Sequence, residues 1–254
     1  MSRPIAARRQ DEILSRLRLA GTVSVEELAE SFSVSRETIR RDLKSLAKRG
    51  RLDVVHGGAS RRSSETALVK RLGENPDGKA AIGRAAAELV EDGMVVLLDS
   101  GATTLKVAEA LAGKSDLTIA TNSLPIALVM CRVPGTRVHM LGGEVDCMDE
   151  AAFGIEVMEA LERFRFDLAF VGAAGISEDG EVTDFTRVAA EQRSRMLRAA
   201  KRAYLVADGS KFGRLTPIRI PDTERAAGLI VDIAPPASMS EGFQARGMDV
   251  IVAA

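Results

Sequence analysis

Cysteine and histidine are scarce in this chain, and long apolar runs are missing. The two cysteines among 254 residues, Cys131 and Cys147, fit neither a disulfide framework nor a metal-binding spacing. Each is expected as a small, buried apolar side chain, the usual setting of a free thiol. With only two histidines, His56 and His139, the chain offers no Ser/His/Asp constellation and no metal-ligand cluster. His139 sits within an apolar strand pattern and is expected as a satisfied core histidine. No apolar run approaches the roughly 18–20 residues that a membrane span requires. Met1-Ser2-Arg3-Pro4 leads straight into a polar helix pattern, so neither signal peptide nor anchor is expected. The expectation is a cytoplasmic protein with no membrane partner.

What is present is an ordinary globular composition, 46% hydrophobic and 28% charged, at a length that suits one large domain or two unequal ones. The formal net charge hides an asymmetry. Residues 1–62 hold 14 Lys and Arg against 8 Asp and Glu, net +6, and the rest hold 21 against 28, net −7, which together give −1. A basic head on an acidic body is the pattern of a nucleic-acid-binding module joined to something else.

Three helix patterns fill the first 50 residues. Ile5–Leu19 carries Ile13, Leu14 and Leu17 at helical spacing and stops before Gly21. Val25–Phe32 follows Ser24, an N-cap candidate with Glu27 at the capping-box position. Ser35–Lys48 follows a very short connection at Ser33-Val34 and closes at Gly50, and Leu52–Val55 then reads as a strand turning at Gly57-Gly58. This is the order of a winged helix-turn-helix, over residues 1–58. Residues 59–78 are polar and read as a hinge with one short helical piece around Thr66–Leu72.

Over residues 79–254, apolar runs alternate with helix patterns. The strands expected are Met94–Leu98, Leu117–Ala120, Arg137–Leu141, Asp167–Val171, Ala203–Ala207, Gly228–Val231 and Met248–Val252. Between them lie helices at Lys79–Val90, Thr103–Ala112, Leu124–Cys131, Gly154–Phe164 and Val188–Ala200. The fold class is therefore α/β: a small N-terminal winged helix-turn-helix domain plus a larger, doubly wound, mostly parallel sheet.

On the third helix, at about 100° per residue, Ile39, Leu43 and Leu46 form one stripe that must face a core. The opposite arc carries Glu37, Arg40, Arg41, Lys44 and Lys48, and the first turn presents Ser35, Arg36 and Thr38, where a recognition helix touches base edges. Arginine reads guanine bidentately in the major groove, while Lys44 and Lys48 suit phosphates. On a lone helix such cations would merely solvate an exposed face. The capped helix before it and the glycine-turned strand after it favour DNA. His56 and Gly57 of the wing are placed to approach the backbone or minor groove, although His56 suits a structural place equally well. Val34-Ser35-Arg36-Glu37-Thr38-Ile39-Arg40-Arg41-Asp42-Leu43, with Leu46, Gly50 and His56-Gly57-Gly58-Ala59, resembles the signature of the DeoR family of bacterial regulators. In that family the stretch forms the recognition helix and wing, which implies that Ser35, Arg36, Thr38 and Arg41 contact double-stranded operator DNA.

In an open parallel sheet, ligands bind outside the carboxyl ends of the strands. Five predicted strands end in polar, glycine-bearing loops: Asp99-Ser100-Gly101-Ala102-Thr103-Thr104, Thr121-Asn122-Ser123, Gly142-Gly143-Glu144, Gly172-Ala173-Ala174-Gly175 and Asp208-Gly209-Ser210-Lys211. Each alone is a common turn, and Thr103 would serve equally as a helix cap. Together they predict a small-molecule pocket, with Thr103 and Thr104 at a positive helix end that favours an anion such as phosphate. Lys211 either supplies a further cation or is a surface lysine. Asp99, Asp208 and Glu191 suit sugar hydroxyls, with an exposed helix salt bridge as the competing place for Glu191.

The body from Lys79 to Gly213 also resembles the DeoR sensor domain, through Asp99-Ser100-Gly101, Thr121-Asn122-Ser123, Gly142-Gly143, Asp167, Gly172, Gly175 and Ser210-Lys211-Phe212-Gly213. The resemblance implies a fold similar to ribose-5-phosphate isomerase and a repressor of a carbohydrate-metabolism operon, controlled by a phosphorylated sugar, with no cofactor. Two positions depart from the family pattern: Ala102 replaces the first threonine of a Gly-Thr-Thr-Thr loop, and Ala189 stands where a glutamate is often found. The rival reading is a sugar-phosphate isomerase with an appended head. Aldose–ketose isomerisation needs a carboxylate base, whereas Val171-Gly172-Ala173-Ala174 lacks both carboxylates of the isomerases' Asp-Gly-Ala-Asp. A head that docks protein through a purely structural body is a third reading, and it predicts no metabolite-dependent stability. A lone head rarely suffices for one genomic site, so a homo-oligomer, dimer or tetramer, is expected.

Overall fold

Ile13, Leu17, Leu28, Ile39, Leu43 and Leu46 recur at helical spacing, and in the computed structural model they meet in one small core. The structure describes residues 6–48, 51–55, 57–60, 65–214 and 216–254. The chain divides into two units, Met1–Glu65 with Arg214–Thr216, and Thr66–Gly213 with Pro217–Ala254. In the first unit, helices α1 (Ala6–Ala20), α2 (Val25–Phe32) and α3 (Arg36–Lys48) pack with strands β1 (Thr22–Ser24), β2 (Asp53–Val55) and β3 (Gly58–Ser60). The strands form an antiparallel sheet in the order β1-β3-β2. Ser24 caps α2 by accepting from Glu26 N–H, and Ser33 ends it in the left-handed region at φ 54°. An ion pair of 2.8 Å between Arg214 and Glu65 holds the Arg214–Thr216 segment within this unit.

The second unit begins with α4 (Leu68–Leu72) and α5 (Pro76–Glu88), so residues 59–78 contain the end of β3, all of α4 and the start of α5. It continues β4 (Val95–Leu98), α6 (Ala102–Ala110), β5 (Thr118–Thr121), α7 (Leu124–Met130), β6 (Arg137–Met140), β7 (Glu144–Asp146), β8 (Ala151–Phe153) and α8 (Ile155–Leu161). Then come β9 (Phe166–Gly172), β10 (Gly175–Ile176), β11 (Val182–Asp184), α9 (Arg187–Ala199), β12 (Ala200–Val206), β13 (Ile218–Arg219), β14 (Gly228–Val231), α10 (Ala237–Ala245) and β15 (Asp249–Val252). Seven strands form one parallel sheet in the order β15-β14-β12-β9-β4-β5-β6. β7 with β8, and β10 with β11 and β13, make two small antiparallel additions.

Alternate residues of each strand serve opposite faces. Val96, Leu98, Phe170 and Val206 join Ile82, Leu105 and Ile126 on one side. Leu97, Ala169, Val171 and Leu205 join Val157, Met196 and Phe243 on the other. Burial on both faces is why these strands read as continuous apolar runs. The winding reverses between β4 and β9: β5 and β6 extend one way, and β12, β14 and β15 the other. The carboxyl ends of β4 and β9 therefore flank a switch point, the natural crevice of such a sheet.

Three expectations are corrected. Cys131 and Cys147 are both exposed, because one sits at the C-cap of α7 and the other in the turn after β7. His139 is exposed as well, since β6 is the edge strand, and its ring meets Phe164 edge-on at 5.1 Å.

Candidate functional site

α3 is presented by two devices. Ser35 Oγ accepts from Thr38 N–H at 3.1 Å and lies 2.9 Å from Thr38 Oγ1, closing the first turn. Asp42, buried on the core side, accepts from Arg9 Nε at 2.6 Å and from Gln10 Nε2 at 2.8 Å, clamping α3 to α1. With Ile39, Leu43 and Leu46 in the core, Ser35, Arg36, Arg40, Arg41 and Lys44 are exposed and Thr38 is half-buried. The Arg41 side chain is 81% exposed and its only neighbouring carboxylate among the described residues is Glu37 at 4.0 Å. Arg40 lies 3.8 Å from Glu37 and Arg36 2.7 Å from Glu26, all on exposed side chains. Such pairs hold by less than about 1 kcal/mol, so they offer little resistance to an exchange of partners. Gly57 turns β2 into β3 at φ +77° with open space around it, and its carbonyl accepts from Val25 N–H at 2.9 Å. His56 and the side chain of Lys48 lie outside the described residues.

At the switch point of the large sheet, polar side chains are buried instead of apolar ones. Asp99, following β4, has no exposed surface; its Oδ2 accepts from Gly172 N–H at 3.0 Å and Arg193 Nε at 2.7 Å. Arg193 also pairs with the buried Asp184 through Nη1. Beside Asp99 are the buried Ser100 and the half-buried Gly101, the latter at φ +136° before α6, where Thr104 Oγ1 donates to Gly101 O at 3.0 Å. Thr103 is buried in the same turn. At the end of β5, Thr121 Oγ1 accepts from Ser123 N–H at 3.1 Å. Asn122 Nδ2 donates to Ala152 O at 2.9 Å, and Gln192 Nε2, on α9, reaches the same carbonyl at 3.5 Å.

Past β12, Asp208 Oδ1 accepts from Ser210 N–H at 3.0 Å while its Oδ2 lies 3.7 Å from the buried Lys79 Nζ. Burial pushes this carboxyl up, but the Lys79 charge, the Ser210 hydrogen bonds and the Lys211 charge outweigh it and hold it below 3.8. Lys211 is buried next to it. Asp99 Oδ1, Asn122 Oδ1, Gln192 Oε1 and Asp208 Oδ2 are buried and lack a hydrogen-bond donor.

The structure thus gathers Asp99, Ser100, Gly101, Thr103, Thr104, Thr121, Asn122, Gly172, Asp208 and Lys211 along one edge of the sheet. Gly175 starts β10 and accepts from Thr183 Oγ1 at 3.2 Å. Gly142 and Gly143 are exposed beyond the edge strand β6. Glu191 stands apart: its half-exposed carboxylate meets Arg195 at 3.1 Å and Arg198 at 3.8 Å on the surface of α9. The residues that sequence reasoning missed are Asp42, Lys79, Asp184, Gln192 and Arg193. Asp42 carried a signal, as an acidic residue one step from the apolar stripe of a basic helix. Among the described residues, no group of three or more His, Cys, Asp or Glu is arranged to hold a metal ion, and no helix is long and apolar enough to cross a membrane.

Residues 9–65 match the DeoR-like helix-turn-helix domain, and residues 74–233 match the DeoR C terminal sensor domain. The chain belongs to the DeoR family. The glycerol-3-phosphate regulon repressor of Escherichia coli K12 is 32% identical over 235 residues, 92% of this chain and 93% of that one. The transcriptional repressor CsqR of the same strain is 30% identical, over 96% and 94% of the two chains. The regulator IolR of Bacillus subtilis 168 is 32% identical, over 77% and 79%. This DeoR-family chain is a DNA-binding transcriptional regulator and not an enzyme. Among solved structures, ribose 5-phosphate isomerase A of Methanocaldococcus jannaschii is similar at a TM-score of 0.40 and 18% identity over 55% of each chain, a likeness too slight to bear on chemistry.

Proposed function

We propose that the protein represses a carbohydrate-metabolism operon and that a phosphorylated sugar, bound at the carboxyl edge of the parallel sheet, controls it. The observation that carries this reading is the set of donor-less buried oxygens on Asp99, Asn122, Gln192 and Asp208. Each buried acceptor left unmade costs about 1–3 kcal/mol, and several converging on one edge call for a ligand rich in hydroxyl donors. The opening turn of α6, with Gly101, Thr103 and Thr104, offers the backbone N–H groups and positive dipole end that suit its phosphate. Lys79 and Lys211 balance Asp208, while Arg193 balances Asp99 and Asp184, so the site is close to neutral before the ligand arrives.

In the head, Ser35, Arg36, Thr38, Arg40 and Arg41 meet base edges and adjacent phosphates, Lys44 meets phosphate, and the wing at His56-Gly57 approaches the backbone. The regulator works in the cytoplasm as a homo-oligomer, because two heads on paired half-sites supply the affinity that one lacks. Sugar phosphate binding then shifts the balance between two quaternary states with unequal operator affinity.

Fluorescence anisotropy on DNA from upstream of the protein's own gene tests this reading, with excess nonspecific competitor and with a panel of sugar phosphates. Selective binding altered by one compound is the expected result. Selective binding indifferent to every sugar phosphate would remove the effector assignment and leave the DNA-binding one.

A further inference from the structure

We propose that Arg71 is the cation of the phosphate subsite and that Asp149 restrains it until an anion arrives. This rests on the sensor's being a phosphate-binding site, but Arg71 lies outside every motif that led to that reading.

Arg71, on the short helix α4, is more than nine-tenths buried. Two of its three nitrogens are committed: Nε donates to Thr66 O at 2.7 Å, and Nη2 bonds Asp149 Oδ1. Nη1 takes part in neither bond and stands 3.9 Å from where a first side-chain carbon would sit on Gly101. Only a glycine at φ +136° leaves that space open. A buried guanidinium is therefore aimed at the opening of α6, where the N–H groups of a helix start already favour an anion. Asp99, two residues before Gly101, leaves Oδ1 without a donor on the same loop, which suits a hydroxyl of the ligand and not its phosphate.

Asp149 lies in the turn between β7 and β8, and the same turn accepts Leu68 N–H through Met148 O at 2.8 Å. The β7–β8 hairpin thus holds α4 against the sheet edge by one backbone bond and one ion pair. A carboxylate on the guanidinium and an anion at Gly101 compete electrostatically for the same charge. The bond to Thr66 O ties that charge to the first residue of the second unit, so ligand occupancy acts on the segment directly after the head.

The test is the thermal stability of the full chain against inorganic phosphate, at ionic strength held constant with chloride. Wild type, Arg71→Gln, Asp149→Asn and Lys70→Gln are compared, the last removing an exposed cation next door. Phosphate is expected to raise the wild-type melting temperature in a saturable way. Arg71→Gln should weaken the apparent phosphate affinity about tenfold or more, as the loss of one charge-assisted contact does. Lys70→Gln should leave it unchanged, and Asp149→Asn should tighten it severalfold by lifting the competing charge. Wild-type stabilisation that survives Arg71→Gln, or falls equally with Lys70→Gln, overturns the assignment to Arg71 while leaving a phosphate site in place. No phosphate effect on wild type overturns the assignment together with the phosphate reading on which it rests. If Arg71→Gln does not fold, Asp149→Asn decides: unchanged or weaker phosphate affinity in that variant refutes the proposal.

Discussion

Replacing Lys79 by methionine should cost the second unit about 3 kcal/mol at neutral pH, the low end of what truncating one member of a buried ion pair costs. Methionine keeps nearly the same volume and helix propensity, so the loss is electrostatic. In the wild type, Lys79 Nζ donates to Arg71 O at 2.8 Å and to Glu74 O, and lies 3.7 Å from Asp208 Oδ2. The substitution leaves two carbonyls and one buried carboxylate without their ammonium. The low end applies because Ser210 N–H and the Lys211 charge remain on Asp208.

The pH dependence has a definite sign. A carboxyl held below its unfolded value adds stability that is present above that value and is lost as pH falls through the folded one. For Asp208, held below 3.8, the wild-type loss is confined to strong acid. In Lys79→Met, burial remains and the first of the lowering influences is gone, so the folded value rises. The penalty should therefore be greatest at neutral pH and shrink at mildly acidic pH as the carboxyl takes up its proton. The chain has one tyrosine and no tryptophan, and Tyr204 is buried in β12, so its fluorescence in urea follows the second unit alone. Lys79→Met with Asp208→Asn should recover most of the loss at neutral pH. A single-variant penalty below about 1 kcal/mol, a penalty equal at both pH values, or no recovery in the double variant would each refute the reasoning.

Arg41→Ala should weaken operator binding by about 1–3 kcal/mol and relax selectivity at one base position; anisotropy with uniform weakening on all sequences would reassign Arg41 to phosphate. Lys211→Ala should weaken sugar phosphate binding while leaving operator affinity in its absence intact, and loss of both in the anisotropy assay would point to misfolding. Gly83→Ala should destabilise the second unit by about 1–3 kcal/mol or more. Its new methyl would stand 2.4 Å from Lys106 O, so α6 must move off α5, and an unchanged urea midpoint would contradict that packing.

The five inner strands of the large sheet, β4, β5, β9, β12 and β14, were legible because their buried stretches serve both faces and leave a continuous apolar run. β4, β9 and β12 could hardly be read otherwise. α10 left no such trace. It buries only Met239 and Phe243, carries Ser238, Ser240 and Gly242, and follows two prolines, so its pattern resembles a loop. Gly242 looks like a helix breaker and is instead a packing residue, because a side chain there would meet Asp179 O at 2.1 Å. The hairpin of β7 and β8, at three residues a strand, was too short for any period to register.

The candidate site divides along the same line. Loop residues next to strand ends, such as Asp99, Asn122 and Asp208, were legible as a group because the loops that follow parallel strands share one edge of the sheet. Their partners were not. α9 carries Arg187, Glu191, Arg193, Arg195 and Arg198 around its circumference, and any of these side chains could have faced inward. Docking chooses among them: with Ala189, Ala190, Met196 and Leu197 buried, Arg193 falls toward Asp99 and Asp184 while Glu191 falls toward Arg195 and Arg198. A charged helix whose apolar stripe is made of small residues does not announce its inward face. The buried carboxylate at the end of β4 does announce that it requires a cation, and only the packed fold identifies that cation as Arg193.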